Sequence, residues 1–354
     1  MDYSKSCGCD CTPDAGSPAG YCTGNPDNIS DIRETTGTIT LHNRFDHFLA
    51  RWGVNRLDHI IEPGLYRLGN PTPESPVFAS ANYTLSFNAL RSALSTTDAW
   101  ILVLNTKGIN VWCAAGKGTF GTEELIRRIR LTDLASIVKH RKIIVPQLGA
   151  PGISWPHVLR ESGFKVEYGP VRASDLPAYL QDHKATPAMR RVQFTVWDRI
   201  VLIPVEFVHA LPITIISVLA IGFLANWTLA IQLLTAILAG NVLFPILLPI
   251  LPTKDFTTKG LVLGMIVMLP FAILPNAITV SGFPGIAEAY AITSFLIFPP
   301  ITAYIALNFT GCTTFTSRTG VRTEIFSYIR LLVGMPIAGL LLTGMFFLIA
   351  SGVI

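Results

Sequence analysis

Residues 105–129 read NTKGINVWCAAGKGTFGTEELIRRI and bring a thiol, a lysine and a run of glycines together. Two chemistries follow from the residues alone. Gly116, Gly118 and Gly121 form G-x-G-x-x-G, the spacing that lets a backbone approach a dinucleotide pyrophosphate. The acidic partner that motif wants some 20 positions on is missing, because Asp133 follows too early. The Walker pattern fails as well, since Gly116-Lys117 runs into Gly118. The second chemistry is a nucleophilic Cys113, placed before a helix whose N-terminal N–H groups would stabilise a thiolate. No histidine lies close to it in sequence to act as base. A separate thiol group, Cys7, Cys9, Cys11 and Cys22, has the spacing C-x-C-x-C-x10-C. That spacing matches no zinc or iron–sulfur pattern, although Cys7, Cys9 and Cys11 could capture a soft metal ion.

The elements that must carry the Cys113 loop are legible around it. Val77–Ala81, Ala99–Asn105, Lys142–Val145 and Lys165–Tyr168 read as strands, with Thr38–Leu41 and Val192–Val196 as further short ones. Phe87–Leu94, Thr122–Arg130, Trp155–Ser162 and Ser174–Gln181 read as helices, the last two opened by Ser154 and Ser174. EPGLYRLGNPTPESP, residues 62–76, reads as a loop. Alternating strands and helices predict an α/β, Rossmann-like domain with a largely parallel sheet. Ligands of such sheets bind beyond the carboxyl ends of the strands, and the Cys113 loop follows one of them.

The composition splits the chain. Of 354 residues, half are hydrophobic and 14% charged, with 27 Lys+Arg against 23 Asp+Glu. Residues 1–200 hold 22 of the basic and 19 of the acidic residues. The remainder is a series of apolar runs near 201–223, 228–251, 260–281, 287–309 and 329–351, each about the 20 residues that cross a bilayer. Residues 1–37, rich in Gly, Pro, Ser and Thr, read as a flexible cysteine-containing tail. Residues 38–198 read as the α/β domain and 199–354 as an all-α membrane domain of five helices. The N-terminus has no apolar run, so no secretory signal is expected and the thiols are expected reduced. Arg190, Arg191 and Arg199, then Lys254 and Lys259, then Arg318, Arg322 and Arg330 fall in alternate breaks. By the positive-inside rule this puts the α/β domain in the cytoplasm and the C-terminus outside, in a multi-pass cell (inner) membrane protein. Glu206 and His209 share a face of the first run and are expected at its cytoplasmic edge; Glu288 marks the outer edge of the fourth. Gly260 and Gly264 make a GxxxG packing motif. No basic stripe or nucleic-acid motif occurs.

The string Asn110-Val111-Trp112-Cys113-Ala114-Ala115-Gly116-Lys117 resembles the signature of the HgcA family, the membrane-anchored corrinoid proteins of microbial mercury methylation. The same domain is similar to the large subunit of the corrinoid iron–sulfur protein of the acetyl-CoA pathway. VPQLGAPGISW, YGPVRASDLPAYL, RRVQFTVWDRIVLIPVE and NFTGCTTFTSRTGV extend the resemblance over most of residues 38–354. It implies a cobalt corrinoid with Cys113 as its lower axial ligand; none of the seven histidines stands in D-x-H-x-x-G. It implies cofactor contacts from Asn110 to Thr119, including Gly118, and from Asn82 and Tyr83, Gln147 and Gly149, and Gly169 and Arg172. Thr122–Arg130 would be the helix packed beneath the ring, and Ala114, Ala115, Gly116 and Gly118 would let the backbone approach it. No internal iron–sulfur cluster is expected, as the N-terminal cysteines have the wrong spacing.

The resemblance implies a methyltransferase that takes a methyl group, as a cation equivalent, from a methyltetrahydrofolate-type donor through a methyltransferase. It hands that group to mercury(II), which needs an anion equivalent. Two electrons must then be returned by a partner, a two-cluster [4Fe–4S] ferredoxin of the HgcB type, also a candidate mercury donor. Two other functions stay open: methyl transfer to another acceptor, and a membrane metal transporter or metal-binding protein with an α/β regulatory domain.

Overall fold

The protein is represented by a computed structural model that describes residues 32–55, 58–273, 286–309 and 318–350. Cys7, Cys9, Cys11, Cys22 and Cys312 lie outside the described residues, as do the end of the third apolar run and the side chain of Glu288.

Six strands form one sheet: β1 (Arg33–Thr35), β2 (Gly64–Leu68), β3 (Val77–Ala81), β4 (Ala99–Leu104), β5 (Lys142–Val145) and β6 (Lys165–Tyr168). Their order is β1-β2-β4-β3-β5-β6. β3 to β6 are parallel, whereas β2 runs antiparallel to β4 and carries β1 parallel to itself. Every side chain of β3 and β4 is buried, as expected for strands covered on both faces. One face packs against α3 (Val111–Lys117), α4 (Thr122–Leu131), α5 (Leu134–Ile137) and α6 (Trp155–Ser162), through residues such as Ala114, Leu125, Leu134 and Val158. The other packs against α2 (Thr84–Ala93) and α7 (Leu176–Asp182), through Phe87, Leu90, Leu176 and Tyr179. α1 (Leu41–Arg51) lies outside α2.

The expected α/β class and largely parallel sheet are observed, with four local differences. Thr38–Leu41 is no strand: Thr40 caps α1, and its side chain and that of Asn43 bond each other's backbone N–H. Val192–Val196 is no strand either, because Thr195 and Asp198 make the same box and start α8 (Val196–Ile200). Residues 62–76 contain β2, read as loop because glycines and prolines flank it. The sheet also begins at Arg33, inside the segment read as tail.

Five helical segments follow that are long and apolar enough to cross a membrane: Val196–Leu224, Trp227–Leu247, Phe256–Ile273, Tyr290–Leu307 and Gly320–Phe346. The first joins α8 to α9 (Ile203–Leu224). The second runs from α10 (Trp227–Leu238) through a π-helical turn, Ala239–Leu243, to α11 (Phe244–Leu247). α12 (Phe256–Ile273), α13 (Ile286–Asn308) and α14 (Arg318–Ala350) complete them. α14 starts 11 residues before the expected position, since the polar segment Arg318–Tyr328 is already helical. Gly260 and Gly264 do form a seam: a Cβ on either would come within 2.5–2.6 Å of the α13 backbone, at Ala303 and Pro299.

The first helical segment meets the α/β domain directly. A Cβ on Gly53, just after α1, would lie 3.3 Å from Val205 Cγ2 and 3.8 Å from His209 Cε1. Glu206 and His209 also line a cavity of about 440 Å³ with Thr214, Asn241 and Tyr304.

Candidate functional site

Four parallel strands in the order β4-β3-β5-β6 reverse their winding between β3 and β5. The β3–α2–β4 connection covers one face and the β4–α3–α4–β5 connection the other. Such a switch point opens a crevice at the carboxyl ends of the strands. A cavity of about 350 Å³ lies there, lined by Ser80 of β3, Pro146 and Leu148 after β5, Gly169 and Val171 after β6, and Trp112 of α3. None of the residues lining it is charged.

Cys113 stands beside this cavity, in the first turn of α3. Asn110 caps that helix, its side-chain oxygen accepting the Cys113 N–H at 2.9 Å. The helix has two unlike faces. Val111, Ala114 and Ala115 are buried against the sheet, whereas Trp112, Cys113, Gly116 and Lys117 are exposed. Gly118 ends it in the left-handed region, at φ 82°, which a glycine adopts without steric cost. The chain then turns back so that Thr119 and Phe120 both donate to the Ala114 carbonyl, and Phe120 is buried completely. Beneath α3 runs the 3-10 turn Gln147–Gly152. Gly152 lies so close that a Cβ would fall 2.2 Å from the Phe120 carbonyl oxygen and 3.2 Å from Ala115 Cα.

The loop feeding α3 is held from below. Asn82 is 3% exposed, and its Oδ1 accepts from Thr106 N (2.9 Å), Thr106 Oγ1 (2.8 Å) and Gly108 N (3.0 Å). Ile109 O, 2.7 Å from Thr106 Oγ1, is an alternative acceptor for that one hydroxyl hydrogen. From the other side, Glu124 of α4 accepts the Asn105 N–H at 2.8 Å while paired with the buried Arg128. A loop with one glycine, Gly108, and a left-handed Lys107 (φ 57°) is thereby fixed.

The residues expected in one site therefore separate into groups. Asn110, Val111, Trp112 and Gly169 line the cavity, with Cys113, Gly116, Lys117 and Gly118 on or just beyond the exposed face of α3. Asn82 is turned inward as the loop's anchor. Tyr83 precedes α2 and pairs with Ile60. Ala114 and Ala115 face the core, so they set how closely α3 sits on the sheet and do not expose backbone. Thr119 bonds the Ala114 carbonyl. Gly149 packs on Phe120. Gln147 and Arg172 turn to the linker before the first apolar helix: Gln147 accepts from Arg190, and Arg172 reaches Gln193 O and Asp198. Cys113 lies on α3, not in the loop before α4. Leu125, Ile126 and Ile129 lay α4 flat on the sheet. Ser80, Ser86 and Ala89 were missed as lining residues; their only signal is small size next to a strand end.

Among the described residues, no group of three or more His, Cys, Asp or Glu is arranged to hold a metal ion. The metal-binding potential of the site is the exposed Cys113 thiol.

Comparison with known proteins bears on this same domain. The CO dehydrogenase/acetyl-CoA synthase delta subunit family, CdhD, matches residues 56–179. The gamma subunit of the acetyl-CoA decarbonylase/synthase complex of Methanopyrus kandleri is 33% identical over 123 residues, 34% of this chain and 26% of the relative. The corresponding subunit of Methanocaldococcus jannaschii is 35% identical over 142 residues, 34% of this chain and 29% of the relative. The corrinoid/iron-sulfur protein large subunit of Moorella thermoacetica is 27% identical over 128 residues, 36% of this chain and 28% of the relative. The chain thus spans about a quarter of the length of these relatives, and the family match ends before the first apolar helix.

Proposed function

We propose that the α/β domain binds a cobalt corrinoid and that the protein carries a methyl group on it, transferring that group to mercury(II). The observation that carries the reading is the exposed Cys113 thiol on a capped, glycine-ended helix, beside an uncharged cavity at the sheet's switch point. A corrinoid would take a soft or nitrogenous donor for its cobalt, an open backbone surface and an uncharged recess. Cys113, the face made by Gly116 and Gly118, where an added Cβ would meet nothing within 4 Å, and the cavity by Trp112 fit those needs. When bound, a corrinoid supplies methyl transfer through its cobalt.

The chain's own residues hold and orient. Asn110 fixes the backbone at Cys113 and so the origin of the thiol. Asn82, Thr106 and Glu124 keep the preceding loop from swinging. Val111, Ala114 and Ala115 seat the helix on the sheet, and Trp112 forms part of the cavity wall. The named relatives of this domain, a corrinoid/iron–sulfur large subunit among them, support the corrinoid. The Asn-Val-Trp-Cys signature and the five apolar helices support mercury(II) as acceptor. The acetyl-CoA complexes named for the relatives favour a second reading, methyl transfer to a different acceptor.

We place the α/β domain on the cytoplasmic side, supported by Arg190, Arg191, Arg199, Lys254 and Lys259. The electron donor would be a two-cluster ferredoxin of the HgcB type, and the methyl donor of the methyltetrahydrofolate type.

The test is anaerobic. Full-length protein in detergent is loaded with isotope-labelled methylcobalamin, washed and given thiol-bound mercury(II), with Cys113→Ala and free methylcobalamin alongside. Retained corrinoid and Cys113-dependent labelled methylmercury, above the free-cofactor rate, are expected. Retained corrinoid without that excess, even with reduced ferredoxin added, would favour the other acceptor. Failure to retain corrinoid would overturn the reading.

A further inference from the structure

α1 is an amphipathic helix mounted the wrong way round for a soluble domain. Leu41, Phe45, Phe48 and Trp52 follow one another at four, three and four positions, the spacing of a single stripe, and they are 82%, 59%, 54% and 37% exposed. A surface helix ordinarily turns such a stripe to the core. Here the polar side faces inward. Asn43 Oδ1 accepts from Arg91 Nη2 at 2.8 Å, Asp46 pairs with His59 at 2.7 Å, and His47 Nε2 accepts from Asn88 Nδ2 at 2.8 Å. Docking the apolar stripe on the domain would break all three contacts, so the outward face is the one the fold selects.

The position of α1 identifies what that face meets. Its C-terminal end is fixed at Gly53 against Val205 and His209, within the first two turns of α9, a helix long and apolar enough to enter a bilayer. α1 therefore starts its outward stripe at the rim of that span. Arg44 and Arg51, both exposed, flank the stripe on one side, where they can meet anionic headgroups, and Trp52 lies at its end nearest the span. Short helices with an apolar stripe, basic flanks and aromatic ends lie in the headgroup–acyl boundary.

We propose that α1 is an interfacial helix, its stripe of Leu41, Phe45, Phe48 and Trp52 immersed in the surface of the bilayer that the chain's own helices cross. The α/β domain is then held to the membrane at two places, the linker into the first span and α1. This fixes its tilt as well as its tether. The inference rests on the five membrane spans and on nothing about the cofactor.

The test uses the full-length chain in nanodiscs of phosphatidylcholine and phosphatidylglycerol, a fraction of whose acyl chains carry a photoactivatable diazirine. After illumination, adducts are mapped by mass spectrometry. The α1 peptide is expected to label about tenfold more than the peptide containing Trp155 and Leu159, exposed apolar residues on the far side of the domain. Phe45→Ser/Phe48→Ser leaves every inward bond of α1 in place and is expected to lower α1 labelling severalfold while labelling of α9 stays the same. Hydroxyl-radical footprinting in the same discs reads water access. Equal labelling of α1 and the Trp155 peptide would overturn the proposal, whether the radicals reach α1 or not. Protection without adducts would mean that another protein surface, not lipid, covers the stripe.

Discussion

Two buried polar hubs, one on each side of the sheet, do comparable work with opposite chemistry. Asn82 is a neutral acceptor that gathers three donors from the loop before α3. Arg91 is a cation, 6% exposed, that donates to Asn88 Oδ1, Thr36 O, Thr38 O and Asn43 Oδ1, and so ties down both the strand exit and α1. Each hub holds an element whose exposed face points away from the protein, with Cys113 in one case and the apolar stripe in the other. At α1 apolar packing cannot display such a face, because Leu41, Phe45, Phe48 and Trp52, the side chains that would anchor the helix, are the ones it offers. A buried hydrogen-bond centre does so, and its orientation is specific because any unmade bond is costly.

If the hubs are independent, damage to each should stay local. The largest effect is expected for Arg91→Met, which takes the donor from four acceptors, the buried Asn88 among them, and should cost about 3–5 kcal/mol. Thermal denaturation in detergent measures the loss, and hydrogen exchange should rise in residues 36–55 but not in 105–117. Arg91→Lys should recover only part, since an ammonium lacks the planar fork. Asn82→Ala should cost about 2–3 kcal/mol and raise exchange in 105–117 alone, with weaker corrinoid retention; Asn82→Asp, which keeps the acceptor, should recover much of both. Exchange spreading from either variant into the other's segment would break the comparison. Gly152→Ala comes next, at about 1–3 kcal/mol, because its Cβ would overlap the Phe120 carbonyl and push α3 off the sheet.

The smallest effect is a pH dependence on the α1 side only. Burial holds His47 below its ordinary 6.5, with Arg51, Arg91 and His59 adding to the effect and Asp46 opposing it. The unfolded chain therefore binds a proton on this ring at a pH where the folded protein does not. The stabilisation is present above about pH 6.5 and is lost as pH falls below it. Melting temperature should drop between pH 7 and 5, and His47→Gln, which keeps an acceptor for Asn88, should flatten part of that drop. The Asn82 hub, having no titrating member, should show no such slope.

The same contrast explains what could be read from the residues. Val77–Ala81, Lys142–Val145, Lys165–Tyr168 and Trp155–Ser162 were legible with their observed bounds, because apolar runs between turn residues report burial on a sheet. Cys113 and its neighbours were legible as a motif, yet the helix that bears them was not, since Gly116 and Gly118 weaken the pattern of so short an element. Inward and outward faces were illegible at α1 and Asn82. Periodicity gives the angle between faces but not which one the protein keeps, and that choice rests on Arg91 and Thr106, far away in sequence. Gln147 and Arg172 entered the expected site through the family resemblance, and the partners they find in the fold, Arg190 and Asp198, belong to the linker.

The contact of Gly53 with Val205 and His209 also sets an order of events during synthesis. The two sides of that contact are some 150 residues apart, which at translation rates of about 5–20 residues per second separates them by on the order of ten to thirty seconds. The N-terminal clamp of α1 comes sooner, once Arg91 has emerged. An early-made helix thus waits, half secured and with its apolar face unsheltered, until the first span has been delivered to the membrane. Its final docking is a late event that reports that the sheet and the span have both arrived.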